Sequence, residues 1–342
     1  MHKLTATPRQ AGGSLAEGEG EEHARDCSKE ACWPAGYLSP ERRSLVSSAQ
    51  LRRLAGMKLG MHICDFTYPN GPARLGADLA DLVRRAEDAG IDTITVMDHL
   101  FQISVVGPSE NDMLEAYTAL GFLAAHTSRV RLLTLVTAAV YREPGLLAKA
   151  VTTLDVLSGG RAWLGIGAGW NEEETTGLGL PFPPVSERFE RLEETLQICL
   201  QMWSDSEAGY DGKHYQLGRT LNSPQSLSRP HPPIMIGGGG EKKTLRLVAK
   251  YAQACNLFPG PELAHKLQVL REHCEREGTD FDAIEKTSMY TFDGDVKATI
   301  EHLEKLHGLG IQTAIGRVPT NLDLDKLKII GREIVPAAND LV

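Results

Sequence analysis

The sequence predicts an α/β protein of the (β/α)8 TIM-barrel class, and three observations support that prediction. From Met57 onward, short apolar runs typical of strands alternate with amphipathic runs typical of helices. The alternation repeats eight times in one continuous stretch, and no change in composition marks a second domain. A doubly wound open sheet uses the same alternation, but a count of eight in this length favours the barrel.

Each predicted strand is followed by a predicted helix. Gly90 ends the first helix, because glycine is the usual helix terminator, and Pro144 begins the third, because proline favours the first helical turn. An irregular insertion around residues 204–230 precedes the fifth strand. The predicted strands are Leu59–Cys64, Thr93–Asp98, Val130–Val136, Arg161–Ala168, Pro233–Ile236, Ala254–Phe258, Thr287–Phe292 and Thr313–Val318. The predicted helices are Leu75–Ala89, Met113–His126, Pro144–Leu157 and Glu187–Trp203, with four more from Lys242, Glu262, Val296 and Leu324.

The composition is that of a globular enzyme. Of the 342 residues, 42% are hydrophobic and 24% are charged, and the formal net charge is −9. No basic run resembles a nucleic-acid footprint, and no apolar run approaches the roughly 18 residues that cross a membrane. The first residues lack the apolar core of a secretory signal. The six cysteines are scattered without CxxC pairs, which indicates reduced thiols in a cytoplasm and no structural metal.

Residues 1–56 differ from the rest of the chain. They are rich in Gly, Ser, Glu and Arg, and they show no lasting apolar period. Such a segment cannot bury enough apolar surface to offset its ordering entropy. We therefore predict a disordered N-terminal extension over residues 1–56 and a barrel domain over residues 57–342.

Polar residues at the carboxyl ends of the strands are the first functional candidates, because barrel enzymes work there. Strand two ends in Asp98 and His99. His99 can titrate near neutrality and suits acid–base work, while Asp98 could orient it or bind a cofactor. The alternative is that Asp98 caps the next segment and His99 is solvated. His62, in the first strand, is either a rim residue or a satisfied core histidine.

Glycines recur in the fourth predicted strand. Gly165, Gly167 and Gly169 fall at period two, so they share one face and leave it without side chains. Strand interiors avoid glycine unless something approaches the backbone closely. With Trp170 and Asn171 directly after them, these glycines suggest a surface cleared for a flat ring. In the neighbouring third strand, Thr137 suits a ring carbonyl as a hydrogen-bond partner, with β-branched packing as the competing interpretation.

A second glycine cluster, Gly237 to Gly240, links the fifth strand to a helix. Consecutive backbone N–H groups in such a turn form an anion nest, so we predict a phosphate site. The alternative is a flexible turn. The Rossmann fingerprint fails because Trp170 stands where it needs glycine, and no P-loop motif is present. The acidic run 172–174 is interpreted as a solvated helix start.

From Met57 to the C-terminus the chain resembles the luciferase-like monooxygenase superfamily. Within it, the chain is most similar to the oxidoreductases that depend on the deazaflavin coenzyme F420. The resemblance rests on Val96-Met-Asp-His99, Arg131-Leu-Leu-Thr-Leu-Val-Thr137 with Tyr141-Arg-Glu-Pro144, Leu154-Asp-Val-Leu-Ser-Gly-Gly-Arg161, Gly165-Ile-Gly-Ala-Gly-Trp-Asn171 and Pro233-Ile-Met-Ile-Gly-Gly-Gly-Gly240.

The resemblance implies a bacterial-luciferase-like barrel, an insertion that helps to cover the active site, and a homodimer. Asp98 and His99 would lie beside the reactive face of the deazaflavin ring, with His99 moving a proton. A non-prolyl cis peptide, placed at Leu135–Val136, would support the ring from behind. The residues that would line the cofactor are Leu135, Val136, Thr137, Gly167, Ala168, Gly169 and Asn171. Those that would hold its phosphate are Gly237, Gly238, Gly239 and Gly240.

The function implied is hydride transfer between coenzyme F420 and a small organic substrate. Residues 101–110 and the insertion would set specificity. A monooxygenase that uses reduced FMN has the same fold and is the alternative, and oxygen consumption separates the two because deazaflavin reacts poorly with oxygen. A non-catalytic flavin-binding barrel is a third hypothesis, which predicts binding without turnover.

Overall fold

A computed structural model of the chain describes residues 56–317 and 324–341. The predictions for residues 1–55 and for Val318 lie outside the described residues. The strands are β1 (Lys58–Ile63), β2 (Thr93–Val96), β3 (Arg131–Thr134), β4 (Thr137–Ala138), β5 (Leu164–Gly167), β6 (Tyr210–Asp211), β7 (Gln216–Leu217), β8 (Ile234–Gly237), β9 (Ala254–Leu257), β10 (Glu285–Tyr290) and β11 (Thr313–Arg317). The α-helices are α1 (Pro72–Asp88), α2 (Ala116–Ala125), α3 (Pro144–Ser158), α4 (Glu172–Gly177), α5 (Val185–Met202), α6 (Thr244–Tyr251), α7 (Leu263–Glu277), α8 (Val296–Gly308), α9 (Leu324–Ile329) and α10 (Val335–Asn339).

Nine of these strands form one sheet, in the order β3-β2-β1-β11-β10-β9-β8-β5-β4, and all its pairings are parallel. β3 and β4 fill one position, because only residues 135–136 separate them. A bridge between Leu132 and Ala162 joins the ends of the sheet. The sheet is therefore a barrel of eight strand positions, which confirms the predicted fold and excludes the open doubly wound sheet.

The strands bury both of their faces. On the outer face, residues such as Met61, Ile94 and Ile166 pack with apolar residues of the helices in the main core. On the inner face, Leu133 and Met235 form a smaller cluster with no helical member. Alternate residues of each strand therefore point into the barrel, and those at the carboxyl ends point into its mouth.

An ion network closes the amino end of the barrel. Arg131 Nε donates to Asp92 Oδ1 at 2.6 Å, and Arg131 Nη1 donates to Glu285 Oε2 at 2.9 Å. The same guanidinium lies 4.8 Å from the centroid of the Trp163 ring. Burial alone would raise the pKa of Asp92 and of Glu285, but Arg131 holds both below their usual values. The network stabilises the end of the barrel opposite the mouth.

The insertion lies along the outside of two helices and does not reach the strand ends through any hydrogen bond between described residues. Glu194 of α5 accepts the backbone N–H groups of Lys213 and Tyr215, and Asp155 of α3 accepts those of Leu227 and Ser228. It contains the two short antiparallel strands β6 and β7. The expectation that it helps to cover the active site is wrong, because it connects the carboxyl end of α5 to the amino end of β8, at the opposite end from the mouth. No helix of the described residues is long and apolar enough to span a membrane.

Glu87, at the end of α1, anchors the loop before β3. Its carboxylate accepts the backbone N–H groups of Ser128, Arg129 and Val130 at 2.9, 2.6 and 3.1 Å. Burial opposes ionisation, but these bonds outweigh it and lower the pKa of Glu87 from 4.5 to about 2. Because the folded pKa is depressed, the stabilisation is complete above about pH 4.5 and is lost as the pH falls towards 2.

The Glu87→Gln variant is expected to lower the free energy of unfolding at pH 7 by about 1–3 kcal/mol, since a neutral amide accepts these N–H groups more weakly. The difference in unfolding free energy between wild type and this variant should shrink as the pH falls from roughly 5 to 3, because the stabilisation by the Glu87 carboxylate is progressively lost over this range. Urea denaturation across that range measures it. Asp88→Asn is the control, because Asp88 is exposed and its nearest ion-pair distance is 3.8 Å. An equal loss in both variants would contradict the role given to Glu87.

Candidate active site

His99 follows β2 at the mouth of the barrel, and its partner is Glu174. Nδ1 of His99 lies 2.5 Å from Oε1 of Glu174, which also accepts the hydroxyl of Tyr141. Oε2 of Glu174 accepts the backbone N–H groups of Leu100 and Phe101 at 2.6 and 3.2 Å. The Glu174 carboxylate therefore connects the segments after β2, β4 and β5 through hydrogen bonds.

Glu174 stays ionised although its side chain is fully buried. Burial would raise its pKa, but the hydrogen bonds from His99, Tyr141 and Leu100 outweigh it and hold the pKa of Glu174 below the usual value. Burial and the Glu174 carboxylate raise the pKa of Tyr141, which remains a neutral donor. An ionised acceptor at Nδ1 fixes the proton there, so Nε2 of His99 is the nitrogen that can take or give a proton.

Asp98 has different hydrogen-bond partners from His99. Its buried carboxylate binds the Arg142 guanidinium through two hydrogen bonds, of 2.5 and 2.9 Å. Arg142 also binds Glu115 at 2.5 Å and lies over the Tyr117 ring. The expectation that Asp98 orients His99 is therefore wrong, and its direct contact with a cofactor stays a prediction.

A break in the third strand position projects into the mouth. The peptide bond between Leu135 and Val136 is cis, at the place that the resemblance implied, and both side chains are partly exposed. Thr137 is buried, with its hydroxyl 2.9 Å from Thr134 Oγ1 and 2.8 Å from the Tyr117 hydroxyl. The Thr137 hydroxyl thus has two partners in the protein, and its bond to a ring stays a prediction.

The glycines of β5 make room for this neighbouring segment. A Cβ atom built on Gly165 would lie 1.8 Å from Thr134 O, and one built on Gly167 would lie 3.0 Å from Val136 Cγ2. A Cβ atom on Gly169, where φ is +80°, would lie 3.0 Å from Ala138 Cβ. The prediction of a close approach is confirmed, because atoms of Thr134, Val136 and Ala138 approach these glycines. Contact of Gly167 and Gly169 with a ring stays a prediction.

Trp170 and Asn171 follow β5 with different surroundings. The Trp170 ring is 61% exposed and meets the His99 ring edge-on, with centroids 5.5 Å apart. Asn171 is buried and precedes α4, where its carbonyl accepts the Thr175 hydroxyl. Ala168 is partly buried against the main core. Of these residues, Trp170 is the one that the structure places against His99.

Four consecutive glycines, of which the first is the last residue of β8, lead into a turn at the mouth. Gly238, at φ +114°, donates its N–H to Asn256 O at 3.2 Å, so this amide is already used. No hydrogen bond between described residues uses the N–H of Gly239 or Gly240. A Cβ atom on Gly239 would find its nearest heavy atom, Lys266 Cε, 3.9 Å away, whereas one on Gly237 would press on Val136 at 2.9 Å. The open part of the predicted nest is therefore Gly239 and Gly240.

Glu174 and Tyr141 were missed as functional residues from sequence. Glu174 belongs to the acidic run that was interpreted as a solvated helix start, which is wrong for this residue because it is fully buried. Its position, one turn after Asn171 and the strand end, is the only available signal. His62 proves to be the core histidine of the two alternatives: it is 5% exposed, with Nδ1 2.7 Å from Thr95 Oγ1.

A histidine fixed by an ionised carboxylate lies at the carboxyl ends of the barrel strands, where TIM-barrel enzymes have their active sites. A family model described as luciferase-like monooxygenase matches residues 61–304. The chain therefore belongs to the luciferase-like monooxygenase family.

Individual relatives agree with this assignment. The F420-dependent glucose-6-phosphate dehydrogenase of Kineococcus radiotolerans is 33% identical over 239 residues, which cover 66% of this chain and 66% of that protein. The chain thus spans just under two thirds of that relative's length. An F420-dependent secondary alcohol dehydrogenase in complex with an F420–acetone adduct superposes with a TM-score of 0.69 at 18% identity, covering 83% and 100% of the two chains. A monooxygenase from Streptomyces bottropensis gives 0.68 at 18% identity, covering 82% and 99%. These two structures support the fold alone.

Proposed function

We propose that this protein transfers a hydride between coenzyme F420 and a small organic substrate. The observation that carries the proposal is the contact between His99 and the buried, ionised Glu174 at the mouth, because it leaves one nitrogen ready for proton transfer. Relatives named as F420-dependent dehydrogenases support the choice of coenzyme.

The residues present fit such a coenzyme. The N–H groups of Gly239 and Gly240 are available at the end of β8, and the space beside Gly239 is open. Lys266, 23% exposed, places its ammonium near this turn, in an ion pair with Glu241. Backbone donors with a nearby cation are the chemistry that phosphate needs. In this proposal Gly239 and Gly240 hold the phosphate, while Leu135, Val136 and Ala168 border the ring.

The coenzyme supplies a ring carbon that accepts or donates the hydride. His99 Nε2 takes the hydroxyl proton when an alcohol is oxidised and returns it when a carbonyl is reduced. Glu174 keeps the His99 ring oriented and stabilises the positive charge that this ring gains. Trp170 meets the His99 ring edge-on.

Titration of the purified protein with F420 and, separately, with flavin mononucleotide tests the proposal. Cofactor fluorescence is followed in the oxidised and reduced states. Preferential F420 binding without oxygen consumption is the expected result. Preferential flavin binding with oxygen consumption would make the protein a monooxygenase, as several structural neighbours are named. Tight binding without turnover of any alcohol would support the non-catalytic barrel.

The Gly239→Ala variant tests the phosphate position. Its methyl group enters the proposed cradle and meets only Lys266 Cε, at an ordinary contact distance of 3.9 Å, so F420 affinity should fall about tenfold while the melting temperature stays unchanged. Gly218→Ala is the matched control, because a Cβ atom there meets nothing within 4 Å and the residue lies in the insertion. Unchanged affinity in Gly239→Ala would remove the phosphate from this turn. Gly237→Val is less informative, since it would also displace Val136.

A further inference from the structure

Arg317, the last residue of β11, points into the mouth of the barrel. It pairs in register with His62 of β1, and His62 pairs with Thr95 of β2. Thr95 pairs in turn with Leu133, which belongs to the interior cluster. Register partners on parallel strands face the same side, so these four side chains form one row on the inner face. The hydrogen bond between His62 and Thr95 confirms their common side.

The guanidinium of Arg317 is the charged group in this row of four side chains. The residue is exposed, and its side chain makes no hydrogen bond or ion pair with another described residue. The neighbouring acid, Asp65, uses its carboxylate to accept the Thr67 N–H at 2.8 Å. Burial, reinforced by the charge of Arg317, lowers the pKa of His62 to about 3, so His62 is neutral beside it. Arg317 therefore brings a positive charge to this side of the mouth.

The proposed cofactor residues lie on the other side of the barrel. They belong to the positions of β3–β4, β5 and β8, whereas β11 and β2, which carry Arg317 and His99, flank β1. The space beyond the carboxyl end of β1 therefore lies between His99, the proton-transfer group, and the guanidinium of Arg317. Arginine binds planar anions through two parallel hydrogen bonds and cannot be deprotonated by them.

We propose that Arg317 binds an anionic group of the substrate, a carboxylate or a phosphate, while the reacting carbon faces His99. The enzyme then acts on an acidic alcohol or the matching carbonyl compound. This inference rests on the proposed function, since it assumes that the coenzyme occupies the opposite side.

The test uses F420-saturated protein, titrated calorimetrically with inorganic phosphate and with acetate. We expect wild type to bind at least one of these anions, and Arg317→Met to weaken that binding at least about tenfold. Arg317→Lys should lie between the two, because it keeps the charge and loses the fork. Arg85→Met is the matched control: Arg85 is an exposed helical residue paired with Asp81, and its removal should change nothing.

Preference for phosphate would indicate a phosphate ester as substrate, and preference for acetate a carboxylic acid. Binding of neither anion by wild type, or equal binding by Arg317→Met, would overturn the inference. F420 affinity should be the same in wild type and Arg317→Met. If wild type does not bind F420, the proposed function fails, whereas the same anion titration on cofactor-free protein still decides whether Arg317 is an anion site.

Discussion

The His99→Gln variant is expected to lower kcat by about 10²- to 10⁴-fold, which is the usual contribution of a positioned acid–base group. Glutamine fills a similar volume and can still donate a hydrogen bond to Glu174, but it cannot carry the proton. F420 affinity should stay close to that of wild type. The measurement is the absorbance change of the coenzyme with an alcohol that reduces it. Lost F420 binding with no separate kinetic defect would reassign His99 to cofactor contact.

The Glu174→Gln variant separates positioning from proton transfer. An amide whose oxygen faces the loop still accepts the Leu100 and Phe101 N–H groups, but its NH2 group then faces Tyr141 and His99 and donates where the carboxylate accepted. It no longer stabilises a positive charge on the His99 ring, so kcat should fall less than in His99→Gln and its pH dependence should shift. Glu173→Gln is the matched control, since Glu173 is exposed and its carboxylate accepts only the Ser109 hydroxyl among described side chains. Identical pH profiles for the two glutamate variants would show that Glu174 is merely structural.

The Gly165→Ala variant should lose more than about 4 kcal/mol of unfolding free energy, an exceptional cost for one methyl group. The new Cβ would lie 1.8 Å from Thr134 O, a backbone atom that cannot move without breaking the strand pairing. Gly121→Ala is the control: in α2 a Cβ meets nothing within 4 Å, and the change should stabilise by about 0.5–1 kcal/mol. Urea denaturation compares the two.

If Gly165→Ala does not fold, Gly167→Ala keeps the argument testable. There the Cβ meets Val136 Cγ2 at 3.0 Å, a side-chain atom that can shift, so we expect a cost of about 1–3 kcal/mol. The double variant Gly167→Ala/Val136→Ala also shortens the Val136 side chain, so it should recover much of the unfolding free energy that Gly167→Ala loses. Independent, additive effects of the two substitutions would contradict the packing described here.

The barrel could be predicted from sequence because each of its units carries a local signal. Pro144 begins α3 and Gly159 ends it at φ +73°, as proline and glycine do at helix ends. The helix after the glycine turn begins at Thr244, two residues later than predicted. The side chain of Lys243, the residue before it, makes no capping hydrogen bond. Boundaries of this kind depend on hydrogen bonds that local propensity does not specify.

The candidate site was predicted only in part, because its contacts join residues far apart in sequence. His99 was identified from its strand-end position, but its partner Glu174 lies 75 residues away and is buried only when α4 folds onto the mouth. The glycines of β5 predicted a close approach to the strand backbone. The sequence pattern alone does not show whether a ligand or a neighbouring strand makes that approach. The insertion looked like a cover because sequence does not reveal which outer face a segment contacts.

The ion network around Arg131 has a consequence for protein engineering. It closes one end of the barrel with Asp92 and Glu285, while His99, Trp170 and the glycine turn occupy the other. Libraries that randomise the loops around the mouth therefore leave the stability contributed by this ion network unchanged. New substrate ranges should be reachable on this scaffold by loop exchange, provided that the segment opposite the β5 glycines is left intact.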